Sequence, residues 1–153
     1  MRRPLLVSVI AGEAMYRRFF IEAKRSNRDT LARIKYLHID EMFRETHFVC
    51  HTDKDRIIGD LAIQQSPCEM GVLWLKHVSV DSSYRNLGIA KRLIEACVSH
   101  VWCENQVLEI SRYSEDGTLF LKPLFDRLAA EMPDVIRLPP EESMTSVISP
   151  GLA

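Results

Sequence analysis

The pattern of apolar and polar residues divides the chain into strand-like and helix-like segments. Short apolar runs bounded by polar turns predict strands, whereas apolar positions that recur every three or four residues predict amphipathic helices. Strands are predicted at residues 5–10, 47–52, 57–65, 71–80, 106–112 and 135–138. Helices are predicted at residues 13–25, from 27 or 29 to 39, around 93–101 and at 118–131, where Pro123 delays or bends the last one.

The order of these segments predicts a mixed sheet. Short turns join the middle strands, which makes them antiparallel, whereas helical crossovers make the later strands parallel. We therefore expect an α/β or α+β fold in a single domain over residues 1–140. Residues 141–153 are expected to form a flexible tail.

A glycine stands where the fourth predicted strand passes into a helix. The loop at residues 85–90 reads RNLGIA, and Gly88 would let the backbone approach a ligand closely. The first N–H groups of a helix have no partner within the helix and lie at the positive end of its dipole, so such an end binds phosphate. The glycine spacing is not that of a Walker loop or of a dinucleotide-binding loop. The loop alone allows two interpretations: a phosphate-binding site, or a glycine that only begins a helix and binds no ligand.

With its flanks, the stretch VSVDSSYRNLGIAKRLIE resembles the acyl-CoA-binding motif of the GNAT superfamily of N-acetyltransferases. That motif is a strand, then Arg or Gln, two residues, Gly, one residue, Gly or Ala, and a helix. Arg85, Gly88 and Ala90 occupy these positions, and Tyr84 before them also matches. The resemblance implies a GNAT-like sheet, mostly antiparallel, that splays at the cofactor site. It also implies acetyl-CoA as the acyl donor and an amine, on a small molecule or a protein, as the acceptor.

The resemblance further implies which residues bind the cofactor. The loop backbone would hold the pyrophosphate, and the main chain of Val78 and Val80 would pair with the pantetheine arm as an added strand does. The N–H of Val78 would polarise the thioester carbonyl, as in an oxyanion hole. The expected cofactor-binding residues are Val78, Ser79, Val80, Arg85, Asn86, Leu87, Gly88, Ile89, Ala90 and Lys91.

Acetyl transfer requires a base for the amine proton and is helped by an acid for the leaving thiolate. Glu109, within an apolar strand, resembles a glutamate that some family members carry there and is the candidate base; the alternative is a solvent-facing position. Trp74 stands at another family position for a base but cannot abstract a proton, so we assign it, with Lys76, to the acceptor. Leu121 occupies the position of the family's usual tyrosine. Tyr113 is the nearest substitute for the acid.

His77, Asp60 and Glu69 are further candidates for a base. Histidine titrates near neutrality. Strict alternation along the fourth strand, however, places His77 on the face opposite to Trp74 and Lys76. His77 is therefore the weaker hypothesis.

Composition and charge narrow the classes of function. The net charge of −1 produces no overall field that favours nucleic acid or an anionic membrane as a partner. No segment approaches the roughly 20 apolar residues of a membrane span, and the first apolar run is too short for a signal peptide. We therefore expect a cytoplasmic protein. No two of the four cysteines are spaced as CxxC, so we expect structural cysteines and no metal site.

Three functions remain open at this point. The first is an acetyl-CoA-dependent N-acetyltransferase, with an acceptor that the sequence does not identify. The second, motivated by Leu121, is a GNAT-fold regulator or interaction protein that binds acyl-CoA with little or no turnover. The third is an unrelated α/β domain in which Gly88 only begins a helix. The family resemblance also allows a homodimer.

Overall fold

A computed structural model describes residues 5–11, 45–52 and 56–140, apart from the side chains of residues 115–117. The two helices predicted before residue 40 and the tail predicted after residue 140 lie outside the described residues. Within these ranges, no helix has the length and apolar character needed to cross a bilayer.

Among the described residues, six strands form one sheet in the order in which they occur in the chain. They are β1 (Leu6–Ala11), β2 (Thr46–His51), β3 (Ile57–Gln65), β4 (Val72–Val80), β5 (Val107–Glu109) and β6 (Ile136–Arg137). The described α-helices are α1 (Ile89–Cys103), α2 (Glu115–Phe120) and α3 (Lys122–Glu131). Neighbours from β1 to β4 are antiparallel, and β5 runs parallel to both β4 and β6. The predicted mixed sheet of an α/β fold is confirmed.

Two predicted elements differ from the structure. The strand predicted at residues 106–112 is only three residues long, because the chain leaves the ladder after Glu109. The helix predicted at residues 118–131 is divided at Leu121 into α2 and α3. Pro123 stands in the first turn of α3, where the missing N–H removes no helical hydrogen bond. The break expected near this proline is therefore present.

Helix α1 packs on one face of the sheet and forms the core with it. The buried side chains of this core include Phe48, Ile58, Leu61, Ile63, Ile89, Leu93, Ile94, Cys97, Val101, Leu108 and Phe125. Gly59 of β3 lets the helix come close: a Cβ there would lie 3.0 Å from Cγ2 of Ile89 and 3.2 Å from Cδ1 of Leu93. This contact positions the first turn of α1, and with it the preceding loop, against the sheet.

A register shift between β3 and β4 changes which face of the sheet the β4 side chains occupy. The pair Ala62–His77 is followed by the pair Ile63–Leu75, so Lys76 is an extra residue on β4. The core beneath α1 accordingly takes β4 side chains from both sides of this bulge: Leu73, Leu75, Val78 and Val80.

The bulge overturns the predicted placement of His77. Because Leu75 and Val78 both face α1, His77 lies on the opposite face, which it shares with Trp74. The prediction was wrong because it assumed an unbroken strand. One extra residue reverses the face of every later side chain.

Candidate active site

The loop between β4 and α1 presents backbone N–H groups at a helix N-terminus. Gly88 immediately precedes α1 and has φ 73° and ψ 17°, a left-handed conformation that favours glycine. Its carbonyl accepts a 3.1 Å hydrogen bond from the N–H of Arg92. The N–H groups of the residues between them therefore have no partner within the helix. A Cβ at Gly88 would meet no atom of the described residues within 4 Å, so these residues leave the space beside it open.

The other predicted loop residues surround the same helix end. The exposed ones are Arg85, Asn86, Leu87 and Lys91. Ala90 is half-buried, and the side chain of Ile89 is buried in the core, so Ile89 can offer a ligand only its backbone. The loop combines N–H groups that have no partner within the helix with two cationic side chains, which is the chemistry of a pyrophosphate site.

Strands β4 and β5 separate beside this loop. They pair over three positions only, from Val72 opposite Val107 to Trp74 opposite Glu109. Strand β4 then continues to Val80, whereas β5 ends at Glu109. The predicted splay between these strands is therefore observed.

The main chain of β4 faces the gap left by this splay. The N–H of Asp81 donates a 2.8 Å hydrogen bond to the carbonyl of Ile58, on the β3 side. Successive residues of a strand direct their N–H groups to opposite sides. Val80 and Val78 therefore direct their N–H and C=O groups away from β3, towards the gap, while Ser79 directs its own towards β3. Of the predicted cofactor-binding residues Val78, Ser79 and Val80, only the two valines present main-chain groups to a ligand there.

Glu109 lies at the end of β5 and is ion-paired. Its Oε2 accepts a 2.9 Å hydrogen bond from Nη1 of Arg137, which stands opposite it on β6. The same guanidinium donates two hydrogen bonds to the carboxylate of Glu69, at 3.0 and 3.1 Å. Glu109 pairs in register with Trp74 and so lies on the same face of the sheet. A glutamate within an apolar strand is explained by this partner, which the short strand β6 supplies.

Tyr113 lies in the loop after β5 and packs against Phe125 of α3, with ring centroids 6.4 Å apart. Its hydroxyl is buried and has no hydrogen-bond partner among the described residues. Burial, and in addition the charge of Asp126, raises the pKa of Tyr113 to about 12. The phenol is therefore protonated at neutral pH. Leu121, at the junction of α2 and α3, packs against the core.

The two residues predicted to meet the acceptor lie on β4 at the register shift. Trp74 is half-buried, on the face away from α1. Lys76, the extra residue of the bulge, is exposed.

A buried group of ionisable side chains lies on the sheet face opposite α1. Asp60 of β3 is completely buried and accepts hydrogen bonds from Nδ1 of His47 on β2 (2.8 Å) and Nε2 of His77 on β4 (2.6 Å). On the far side of His47, Oε2 of Glu45 lies 3.1 Å from Nε2. We refer to His47, Asp60 and His77 as the His–Asp–His cluster. Sequence reasoning considered Asp60 and His77 separately and missed His47, because only strand pairing and the bulge bring the three together.

The cluster is an ionic network at neutral pH. Burial lowers the pKa of His47, but the carboxylates of Asp60 and Glu45 outweigh it and raise that pKa to about 9. Burial likewise raises the pKa of Asp60, but the hydrogen bonds from His47 and His77 outweigh it, and that pKa lies below its ordinary value. The buried carboxylate is thus held ionised by its two imidazole partners.

The chain is similar in sequence to known acetyltransferases. Residues 43–122 match the family model of the acetyltransferase (GNAT) domain. The L-2,4-diaminobutyric acid acetyltransferase of Halalkalibacterium halodurans is 29% identical over 107 residues, which are 70% of this chain and 56% of the relative. That of Marinococcus halophilus is 30% identical over 106 residues, 69% of this chain and 60% of the relative. The matched part thus spans less than two thirds of the length of these relatives.

Solved structures of this family share the fold. An acetyltransferase of the GNAT family from Staphylococcus aureus Mu50 superimposes with a TM-score of 0.50 at 17% identity, over 81% of this chain and 84% of that one. An aminoglycoside N-acetyltransferase in complex with CoA gives a TM-score of 0.56 at 18% identity, over 80% and 86%. Since the family model covers more than half of the sequence and includes the loop before α1, the chain belongs to the GNAT superfamily of acetyltransferases.

Proposed function

We propose that this protein is an N-acetyltransferase that uses acetyl-CoA as its donor and an amine as its acceptor. The observation that carries the proposal is the left-handed Gly88 at the open N-terminus of α1, beside the open edge of β4. Acetyl-CoA presents two matching groups, an anionic pyrophosphate and an extended pantetheine arm with amides. GNAT acetyltransferases use this donor, and the family model includes both features of the site.

Each part of the donor has a proposed partner. The backbone N–H groups of residues 85–90 would bind the pyrophosphate, and the side chains of Arg85 and Lys91 would balance its charge. The main chain of Val78 and Val80 would pair with the pantetheine amides. The partners of the pantetheine arm are backbone atoms of the paired strand β4, so little ordering of this strand is needed on binding.

The proposed reaction assigns one step of acetyl transfer to each group expected near the thioester. Glu109 takes a proton from the acceptor amine, through a water molecule where the distance requires it, and Arg137 orients its carboxylate. The neutral amine attacks the thioester carbon, a C–N bond forms, and the N–H of Val78 stabilises the oxyanion. The C–S bond then breaks, the thiolate of CoA takes a proton from the hydroxyl of Tyr113, and the proton that the acylated nitrogen still carries passes to the phenolate and restores the phenol.

The acceptor is proposed to be an amine that also carries a carboxylate. The similar enzymes from Halalkalibacterium halodurans and Marinococcus halophilus are named for L-2,4-diaminobutyric acid, which has both groups. The exposed ammonium of Lys76 would pair with such a carboxylate, and the ring of Trp74 would pack against the carbon chain. A homodimer and a cytoplasmic location stay predictions from the sequence.

A second candidate is a GNAT-fold protein that binds acyl-CoA with little turnover. It is favoured by Leu121 at the family's tyrosine position and by the engagement of Glu109 with Arg137. This candidate predicts acetyl-CoA binding but no release of CoA with any amine.

Calorimetric titration with acetyl-CoA tests the site. We expect one binding site per chain, and loss of binding in Gly88→Glu because a bulky anion would enter the phosphate site. Gly88→Ala is the matched control, since it strains the same left-handed backbone without adding charge, and it should weaken binding only moderately. Absence of binding to the unaltered protein at millimolar acetyl-CoA would overturn the proposal. Release of free CoA with L-2,4-diaminobutyrate and a panel of other amines then separates the enzyme from the binding protein.

A further inference from the structure

The His–Asp–His cluster brings together three side chains that commonly bind transition metals. The ligand atoms of His47, Asp60 and His77 all lie within 4.8 Å of one another. Each residue comes from a different neighbouring strand, so the sheet itself holds the three donors in place. Two imidazoles and one carboxylate form a donor set typical of zinc and iron(II) sites.

Glu45 provides the outer partner that such sites usually have. Its carboxylate lies 3.1 Å from Nε2 of His47, the ring nitrogen on the opposite side from Asp60. A metal-bound histidine commonly donates its second N–H to a carboxylate, which fixes the tautomer and orients the ring. Glu45 is thus within reach of the proton on Nε2 of His47, while Nδ1 of the same ring faces Asp60.

The charge of the buried group also fits a divalent cation. With both imidazoles neutral, the two carboxylates leave the four side chains with two negative charges, and uncompensated buried charge is strongly unfavourable. The side chains of these residues are at most 8% exposed. A proton on His47 supplies one positive charge, whereas one divalent ion supplies two and makes the group neutral.

The distances define the rearrangement that metal binding requires. Donors on one tetrahedral zinc ion lie about 3.3 Å apart, given Zn–N and Zn–O bonds of about 2.0–2.1 Å. The hydrogen-bonded separations from Asp60 to the two histidines are 2.6–3.1 Å. Replacing the bridging protons by one ion therefore moves each histidine away from Asp60 by a few tenths of an ångström, whereas the widest separation among the three donors, up to 4.8 Å, must close by about 1.5 Å.

We propose that His47, Asp60 and His77 bind one divalent transition-metal ion, best matched by Zn²⁺, with Glu45 as the outer partner. Binding releases the bridging protons to the solvent. Three protein ligands leave a fourth position for water or a ligand. The site lies on the sheet face that Trp74 shares with His77, and its existence does not depend on acetyl transfer.

Titration of the chelator-treated full chain with Zn²⁺ alone tests the proposal. We expect one ion per chain in calorimetry, a rise of the thermal unfolding midpoint, and no comparable binding of Mg²⁺, which prefers oxygen ligands. Asp60→Asn and His77→Gln should abolish binding at Zn²⁺ concentrations that saturate the unaltered protein. Glu45→Gln should weaken it by about 10- to 100-fold.

Two controls distinguish this site from other zinc ligands. His100→Gln changes a half-buried histidine of α1, and the double variant Cys68→Ser with Cys103→Ser removes the exposed thiols. Both should bind Zn²⁺ as the unaltered chain does. The absorption spectrum of the Co²⁺ form needs no variant and should show ligand-field bands without a thiolate charge-transfer band.

Three results would overturn the proposal and leave a hydrogen-bonded network only. The unaltered protein would bind no Zn²⁺, the folded His77→Gln variant would still bind it, or the cysteine double variant would lose it. Circular dichroism of each variant identifies failure to fold, and the Co²⁺ spectrum then decides. Acetyl-CoA titration of the same samples reports separately on the proposed transferase, so either proposal can fail without the other.

Discussion

Arg137 donates a 2.9 Å hydrogen bond to Glu109 across the parallel pair β5 and β6, where the two residues are direct register partners. The guanidinium also donates twice to Glu69 in the turn before β4. One arginine thus links the candidate base to a second carboxylate on the same side of the sheet. This arrangement allows the catalytic and structural roles of Glu109 to be separated.

Glu109→Gln should lower kcat by about 10²-fold or more, because the amide cannot take a proton in the transition state. Acetyl-CoA affinity should stay the same, and the free energy of unfolding should change by less than about 1 kcal/mol, since the ion pair is partly exposed. Glu69→Gln is the matched control: it removes the other partner of Arg137 and should leave kcat unchanged. If Glu109→Gln keeps the same kcat as the unaltered protein and Glu69→Gln in an initial-rate assay, Glu109 has a structural role only.

Tyr113→Phe should lower the activity without lowering the stability of the protein. The hydroxyl is buried without a partner among the described residues, so its removal should leave the free energy of unfolding unchanged or raise it by about 1–3 kcal/mol. Loss of the acid should lower kcat by about 10²-fold. Urea unfolding and initial rates measure the two effects. A variant with unaltered kcat would show that the leaving thiolate takes its proton from water.

Gly59→Val should displace the first turn of α1, and with it the proposed cofactor loop, from the side of the sheet. The added methyls would press on Ile89 and Leu93, and we expect a loss of about 1–3 kcal/mol in the free energy of unfolding together with weaker acetyl-CoA binding. Gly71→Ala is the control, because Gly71 has a positive φ but no atom near its Cβ position, so it adds backbone strain alone. If Gly59→Val destabilises the protein as expected but leaves acetyl-CoA affinity unaltered, α1 does not position the loop in this way.

The metal-free protein should lose stability as the pH rises from about 6.5 to about 9. In the folded protein, where Glu45, Asp60 and His77 face its ring, His47 has a pKa of about 9. In the unfolded chain, the pKa of a histidine is about 6.5. This stabilisation, up to about 3 kcal/mol, is fully present below pH 6.5 and is lost as the pH passes through 9. Urea unfolding at several pH values measures it. His47→Gln should flatten this part of the profile, and an equal slope in that variant would contradict the assignment.

Local sequence patterns were sufficient for most of the described elements and for the glycine loop before α1. The apolar run of β3 and the helical spacing in α1 are properties of near neighbours along the chain, which a sequence displays directly. The loop from Arg85 to Ala90 could be located for the same reason: a strand, a glycine and a helix follow one another within a few residues. The short β5 was overestimated, because its length depends on where the neighbouring strand diverges.

Contacts between distant residues could not be obtained in this way. The partner of Glu109 is Arg137, 28 residues further along the chain, and only the parallel pairing of β5 with β6 makes them neighbours. The placement of His77 failed for a related reason. A bulge is defined by the partner strand, so the extra residue at Lys76 is invisible in the alternation of β4 alone.

The sequence by itself therefore determined the fold class, the direction of strands β2 to β6 and the helix end suited to a pyrophosphate, because these depend on short-range periodicity, connection length and backbone conformation. The tertiary structure alone decided which side chains share a face and a charge environment. It brought His47, Asp60 and His77 together from three strands, because strand register and one inserted residue, rather than spacing along the chain, set their distances.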